Sequence, residues 1–273
     1  MPAASEITRL AKSNLAFALN ILPRARRDDM VVFYAFCRTL DDLADAPGLP
    51  LEQRKAALEA WKCGLLTGFA APDEFQLELL ALRERHQLPN DLLTAIIDGC
   101  LMDLQPQRFQ TWDDLSNYIW KVAGAVGLVS IRLFGCTDPA SEHYAVTLGQ
   151  ALQLTNILRD IGEDLTNGSR IYLPMADLAR WHYTEADLLA RVYDERFLAL
   201  MAHEAGRADG LFRDAAACLP AADRAALLPA RIMGEIYQVL LRKMQAGSFR
   251  VFQHRYSVSK ARKLAILSKH LLA

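Results

Sequence analysis

Two pairs of aspartates stand out: Asp41 with Asp45, and Asp160 with Asp164. Each pair has the pattern D-x-x-x-D, which on a helix places both carboxylates on one stripe. Tyr34 and Arg38 extend the first stripe in steps of four and three, and Gln153 and Asn156 extend the second. Most other positions nearby are apolar: Phe33, Phe36, Leu40 and Leu43 in one stretch, Leu152, Leu154, Ile157, Leu158 and Ile161 in the other. A helix that is apolar on most sides is buried, so its carboxylates need partners. Like charges at this spacing cost about 0.2–0.5 kcal/mol when exposed, and burial increases that cost. Carboxylates without histidine or cysteine among them suit Mg²⁺, which is commonly held by one or two carboxylates plus phosphate oxygens. The pattern therefore points to facing helices that grip a diphosphate through Mg²⁺. The bland alternative is a solvated acidic face, with Arg38 paired to Asp41 or Asp42 one turn on. Asp42 lies off the stripe. Asp113, Asp114 and Glu204 lack this setting and read as surface or capping residues.

The elements that position these residues are helical. Pro23, Pro50, Pro72 and Pro89 punctuate the first third of the chain. Long proline-free stretches follow, rich in alanine and leucine. Thr111 with Asp114 reads as a capping box, Pro139 as a first-turn proline, and Asn167-Gly168 as a helix stop. Strand patterns are nearly missing, and Arg170–Leu173 ("RIYL") is the best short candidate. "VAGAVG", from Val122 to Gly127, reads as a close helix-packing site, because it sits mid-helix and matches no phosphate-loop pattern. No repeat, linker or composition break divides the chain. The expectation is one all-α domain over residues 1–273, of roughly ten to twelve helices.

Composition narrows the function. The 273 residues carry 31 basic and 32 acidic side chains, a balance that argues against a nucleic-acid binder. Five scattered cysteines with no C-x-x-C pair read as reduced, mostly buried thiols of a cytoplasmic protein. No signal peptide or transmembrane run is visible. The segment "SKARKLAILSKHLLA" is basic and apolar by turns. It reads first as a docked helix with solvated lysines, and second as a peripheral membrane contact.

"DDLAD" together with "QLTNILRDIGEDLTNGSRIYLP" resembles the squalene/phytoene synthase family of head-to-head isoprenoid synthases. "YIWKVAGAVGLVSIRLFG" and "IYQVLLRKM…FRVFQHRYSVSKARKL" resemble its central and C-terminal segments, so the likeness spans nearly the whole chain. Among branches it is most similar to the bacterial squalene-forming one that makes presqualene diphosphate. The resemblance implies an isoprenoid-synthase helical bundle around a deep central cavity. It implies that Asp41 and Asp45 bind Mg²⁺ and one diphosphate, and that Asp160 and Asp164, with Asn156, bind Mg²⁺ and the other. It places Gln153 beside the second metal site, Tyr34 and Arg38 at the first, and Tyr237 and Arg255 on diphosphate. Tyr118, four residues before "VAG", matches a tyrosine of the first half-reaction. The family's serine-rich stretch is here Ser13-Asn14-Leu15, which leaves only Ser13 as a diphosphate contact.

The implied reaction condenses two farnesyl diphosphates to presqualene diphosphate, followed by reduction to squalene with NADPH. Lys12, Ser13, Arg250, Lys260 and Lys263 are candidate contacts for NADPH phosphates. The alternatives are a synthase that stops at presqualene diphosphate, a phytoene or dehydrosqualene synthase and, from another class, a terpene cyclase or a non-enzymatic helical scaffold. Substrate chain length and oligomeric state are not legible.

Overall fold

The computed structural model describes residues 21–46 and 48–272, so the calls on Lys12 and Ser13-Asn14-Leu15 lie outside the described residues. Among the described residues are twelve α-helices and no named strand. α1 (Arg24–Ala44), α2 (Leu51–Thr67) and α4 (Asn90–Met102) each start directly after a proline, and α3 (Glu74–Arg85) starts at the capping box of Asp73 and Gln76. α5 (Trp112–Ile119) is capped by Thr111, whose backbone N–H donates in return to the Asp114 carboxylate. The chain then makes a π-helical turn over Trp120–Gly124 and continues as α6 (Ala125–Phe134). α7 (Ala140–Thr166) is the 27-residue helix that carries the second acid pair, and it stops at Asn167-Gly168, where Gly168 takes φ +84°.

The stretch from Met175 to Leu219, proline-free and apparently continuous, is in fact divided. It forms α8 (Met175–Arg180), α9 (Glu185–Leu189) and α10 (Glu195–Ala217). His182 and Arg191 adopt left-handed backbone at the two breaks, φ +52° and +55°, positions that the usual glycine signal would have marked. α11 (Leu228–Ala246) and α12 (Lys260–Leu272) complete the chain. "RIYL" contributes only one isolated parallel bridge, Ile171 to Arg108.

Two hydrophobic cores form. One gathers around α1–α4 and α6, with Phe33, Phe36 and Leu40 at its centre; the other surrounds α7, α10 and α11. The "VAGAVG" segment joins them by close helix contact. A Cβ on Gly127 would come within 2.8 Å of the Ala145 carbonyl oxygen, and one on Gly149 within 2.9 Å of that of Ala123. All five cysteines are free. Cys100 is buried, three are half-buried, and Cys63 is exposed. No described helix is long and apolar enough to cross a membrane.

Candidate active site

Residues of both acid-bearing helices line a pair of adjoining cavities, and of the four motif aspartates Asp41 alone is in either lining. One, of about 300 Å³, is lined by Tyr34 and Asp41 of α1, Asp103, Tyr118 and Gln153, with Met30, Phe33 and Ile96 among its apolar walls. The other, of about 250 Å³, is lined by Gln153 and Asn156 of α7 and Tyr237 of α11, with apolar walls that include Phe134 and Leu148. Val122, Val126, Ser130 and Gln153 stand in both linings. The two pockets adjoin through these residues and lie together at the centre of the helical bundle. Each has a polar end and an apolar remainder.

Asp103 links the acid pairs. It follows the last residue of α4 and accepts hydrogen bonds from the Tyr118 hydroxyl at 2.9 Å and the Tyr172 hydroxyl at 2.8 Å. Arg170 reaches from the turn after α7 to Asp45 Oδ1 at 2.8 Å and to the Asp103 carbonyl oxygen at 3.2 Å. Its own N–H donates to the Asp164 carbonyl oxygen at 3.0 Å. One arginine therefore ties the end of the second acid helix to the end of the first. Asp103 was not singled out in the sequence, having no acidic neighbour at helical spacing. Arg170 and Tyr172 lie at the end of the stretch that carries the family likeness, but no role was given to either there.

The carboxylates differ in state. Burial pushes Asp41 up to about 7, helped by Asp45, Asp103 and Asp42 and opposed by Arg38. Arg38 itself is half-exposed and ion-paired with Asp42, as the bland reading allowed. Burial, then the charge of Asp160, pushes Asp164 up to about 7 against Arg170. Asp103 is likewise raised by burial, although the two tyrosine hydroxyls oppose it. Asp160 goes the other way. Burial would raise it, but hydrogen bonds from Arg159 and Arg255 outweigh that and hold it below the ordinary range. Arg159 pairs with it from the neighbouring position, and Arg255 Nε lies 2.7 Å from Asp160 Oδ1 and 3.1 Å from Glu163. Burial and the nearby Asp103 charge keep the Tyr118 phenol well above its usual value, so Tyr118 is neutral.

These donors fit a hard divalent cation. All are oxygens, two of the carboxyls are raised by burial and by their acidic neighbours, and the buried Asn156 Oδ1 has no hydrogen-bond partner. A second group also has cation-like spacing. One side-chain donor atom from each of Asp177, His203 and Glu204 lies within 4.8 Å of the others. Glu204 is fully buried there, which corrects its reading as a surface or capping residue. Arg207 Nη1 already bridges the Glu204 and Asp177 carboxylates, at 2.5 and 3.0 Å, so this group has its own cation.

A squalene/phytoene synthase family profile matches residues 8–262. A 15-cis-phytoene synthase of Synechocystis sp. is 35% identical over 90% of this chain and 77% of its own length. A presqualene diphosphate synthase of Rhodopseudomonas palustris is 34% identical over 99% of this chain and 97% of its own. Among solved structures, a ligand complex of a dehydrosqualene synthase superposes with a TM-score of 0.86 at 27% identity, covering 98% of this chain and 94% of that one. A squalene synthase of Alicyclobacillus acidocaldarius gives 0.80 at 27% identity, covering 90% and 93%.

Proposed function

The chain belongs to the squalene/phytoene synthase family of divalent-metal-dependent prenyltransferases, and from that premise we propose its reaction: head-to-head condensation of two farnesyl diphosphates to presqualene diphosphate. We infer in addition that NADPH carries this product on to squalene. The observation that supports the reading is an apolar cavity in two adjoining parts, with Asp41 and Tyr34 of the first stripe in one lining and Asn156 of the second stripe in the other, and room for two prenyl chains. The near full-length match to a presqualene diphosphate synthase supports the same product. The meeting of both cores at this site supports reading residues 1–273 as one domain.

Asp41 and Asp45 would hold Mg²⁺ for one diphosphate, and Asp160, Asp164 and Asn156 for the other. When bound, Mg²⁺ neutralises diphosphate charge and so eases departure of the leaving group. The chain's own residues do the rest. Arg255 and Arg38 offer cationic donors to the diphosphates at the rim, and Gln153, in both linings, orients the two substrates against each other. The apolar walls exclude water from the allylic cation left when the C–O bond breaks. The double bond of the second substrate attacks that cation, and loss of a proton closes the cyclopropane. A phenol oxygen of Tyr118 accepts that proton as its own passes to Asp103, 2.9 Å away. Tyr34 shapes the pocket beside Asp41, and Tyr237 does so beside Asn156. Ser13 completes the proposed diphosphate contacts. For NADPH, Arg250 stacks 5.6 Å from the centre of the Tyr193 ring, while Lys260 and Lys263 lie at the start of α12.

The phytoene synthase reading is favoured by the 35% identity to the Synechocystis enzyme, and it shares every step up to the cyclopropane. Product mass spectrometry with farnesyl and with geranylgeranyl diphosphate, each with and without NADPH, separates them. The proposal expects a C30 diphosphate from farnesyl diphosphate and squalene once NADPH is added. A C40 product, with farnesyl diphosphate inert, would establish the second reading instead.

A further inference from the structure

The chain is nearly neutral as a whole, yet its charge is unevenly spread. From Leu228 to Leu272 there are nine lysines and arginines and a single acid, Glu235. That acid is already engaged by Lys269 at 2.9 Å and by His270 at 2.9 Å. α12, at the end of this segment, contains no acidic residue. It docks on the body along one narrow edge, where Ile266 is buried and Leu267, Lys263 and His270 are half-buried.

The opposite edge is apolar and faces outward. Leu264 is 53% exposed, Leu271 58% and Leu272 89%. At 100° per residue these three share one arc with Ala261, Ala265 and Ser268, all exposed, and no charged side chain interrupts it. Exposed Lys260 bounds the arc on one side, and exposed Lys269 and Arg262 bound it on the other. Long basic side chains flanking an apolar stripe can keep their charges at the headgroup level while the stripe enters the acyl boundary. Neither the docking of α12 nor the carboxylate site uses this arc. A second protein would meet the basic borders only with an acidic rim of its own. An anionic bilayer supplies both the apolar phase and the negative surface at once.

We propose that the outward face of α12 docks this protein on anionic lipid bilayers, lying in the plane of the surface, with Leu264, Leu271 and Leu272 inserted and Lys260 and Arg262 at the phosphate level. The proposal does not depend on which prenyl product is made. Its geometry suits a peripheral contact that salt reverses, because the apolar arc is short and the charge is strong.

The test is flotation of the purified full chain with vesicles of phosphatidylglycerol and phosphatidylcholine in equal parts, against vesicles of phosphatidylcholine alone. Wild type floats with the anionic vesicles at low salt, stays in solution with the neutral ones, and is released at high salt. A Leu264→Glu/Leu271→Glu variant lowers partitioning by about tenfold or more, because it places two carboxylates at the anionic surface. Both positions are solvent-exposed, so circular dichroism and pyrophosphate release in detergent-free solution stay as in wild type. A Lys260→Gln/Arg262→Gln variant weakens anionic binding while the leucines remain. Failure of wild type to float with anionic vesicles at low salt overturns the proposal. So does equal flotation of the double-glutamate variant, or light scattering showing that the leucine face closes on a second copy without lipid.

Discussion

The acid pairs of α1 and α7 have the same spacing and opposite surroundings. On α1, the arginine one turn before Asp41 is committed to Asp42, and Asp41, exposed at the cavity, is left among other acids that raise it. On α7, Asp160 is held by two arginines, one adjacent in sequence and one brought from the segment before α12. Asp164, one turn further, is half-buried and raised. Equal spacing therefore does not mean equal chemistry. Each motif has one arginine-held member, Asp45 on Arg170 and Asp160 on Arg159 and Arg255, but only on α1 does the other member, Asp41, line the cavity. Arg255 on the α7 side would have to be shared with the incoming diphosphate.

Substitution can break this comparison most directly. Asp41→Asn and Asp160→Asn should each lower turnover by roughly 10²–10³, the scale for removing one preorganised charge contact. Their stabilities should diverge without metal. Asp41→Asn relieves repulsion among neighbouring acids and leaves stability equal or higher, whereas Asp160→Asn strands the largely buried Arg159 and costs about 1–3 kcal/mol. Denaturant titration of both variants checks this, and equal destabilisation would erase the distinction.

Tyr118→Phe comes next. It keeps the ring stacked beside Tyr172 and removes only the hydroxyl, so kcat should fall by about 10²-fold while KM changes little. Tyr172→Phe removes the other donor to Asp103 without touching the proposed proton path, so its loss should be smaller. Steady-state kinetics of the pair rank the two hydroxyls.

The pH dependence sharpens the contrast further. Asp41 titrates near 7 in the folded chain against 3.8 unfolded. Its folded value is raised, so its contribution is fully present below about 4 and is lost as pH rises through about 7. Metal-free stability should therefore decline across that window, and Asp41→Asn should lessen the decline, the remainder coming from Asp164 and Glu204, which are raised to about 7 as well. Asp160 has the opposite sign: its folded value is lowered, and its contribution is lost only as pH falls below the ordinary carboxylate range. Urea midpoints at mildly acidic and mildly basic pH read the difference. The smallest expected effect lies away from the site. Thr111→Ala removes the α5 cap and should cost about 1 kcal/mol with little change in turnover, measured by thermal unfolding alongside the assay.

How far the sequence carried these conclusions depends on distance along the chain. Both acid stripes, the caps at Thr111 and Asn167-Gly168, and the close packing at Gly127 are local patterns and were legible. Asp103 is joined to the site only through tertiary contact, and nothing in its neighbours marks it; Arg170 and Tyr172 lie in the motif that carries the family likeness, but their partners Asp45 and Asp103 come only from the fold. Glu204 was misread because a lone acid on a helix is ordinarily solvated; its burial depends on Arg207 one turn on and on Asp177 from another helix. The two breaks between α8 and α10 were hidden because His182 and Arg191, not glycine or proline, make the left-handed turns.

The central claim is that two diphosphate substrates share one site, each with its own acid pair. The most direct measurement is the ratio of farnesyl diphosphate consumed to pyrophosphate released, with Mg²⁺ and no reductant. Condensation to presqualene diphosphate predicts two substrates consumed for each pyrophosphate, with Asp41→Asn and Asp160→Asn both slower by roughly 10²–10³. One substrate per pyrophosphate with a product of a single prenyl chain, as a cyclase would give, or no Mg²⁺-dependent release at all, would contradict it.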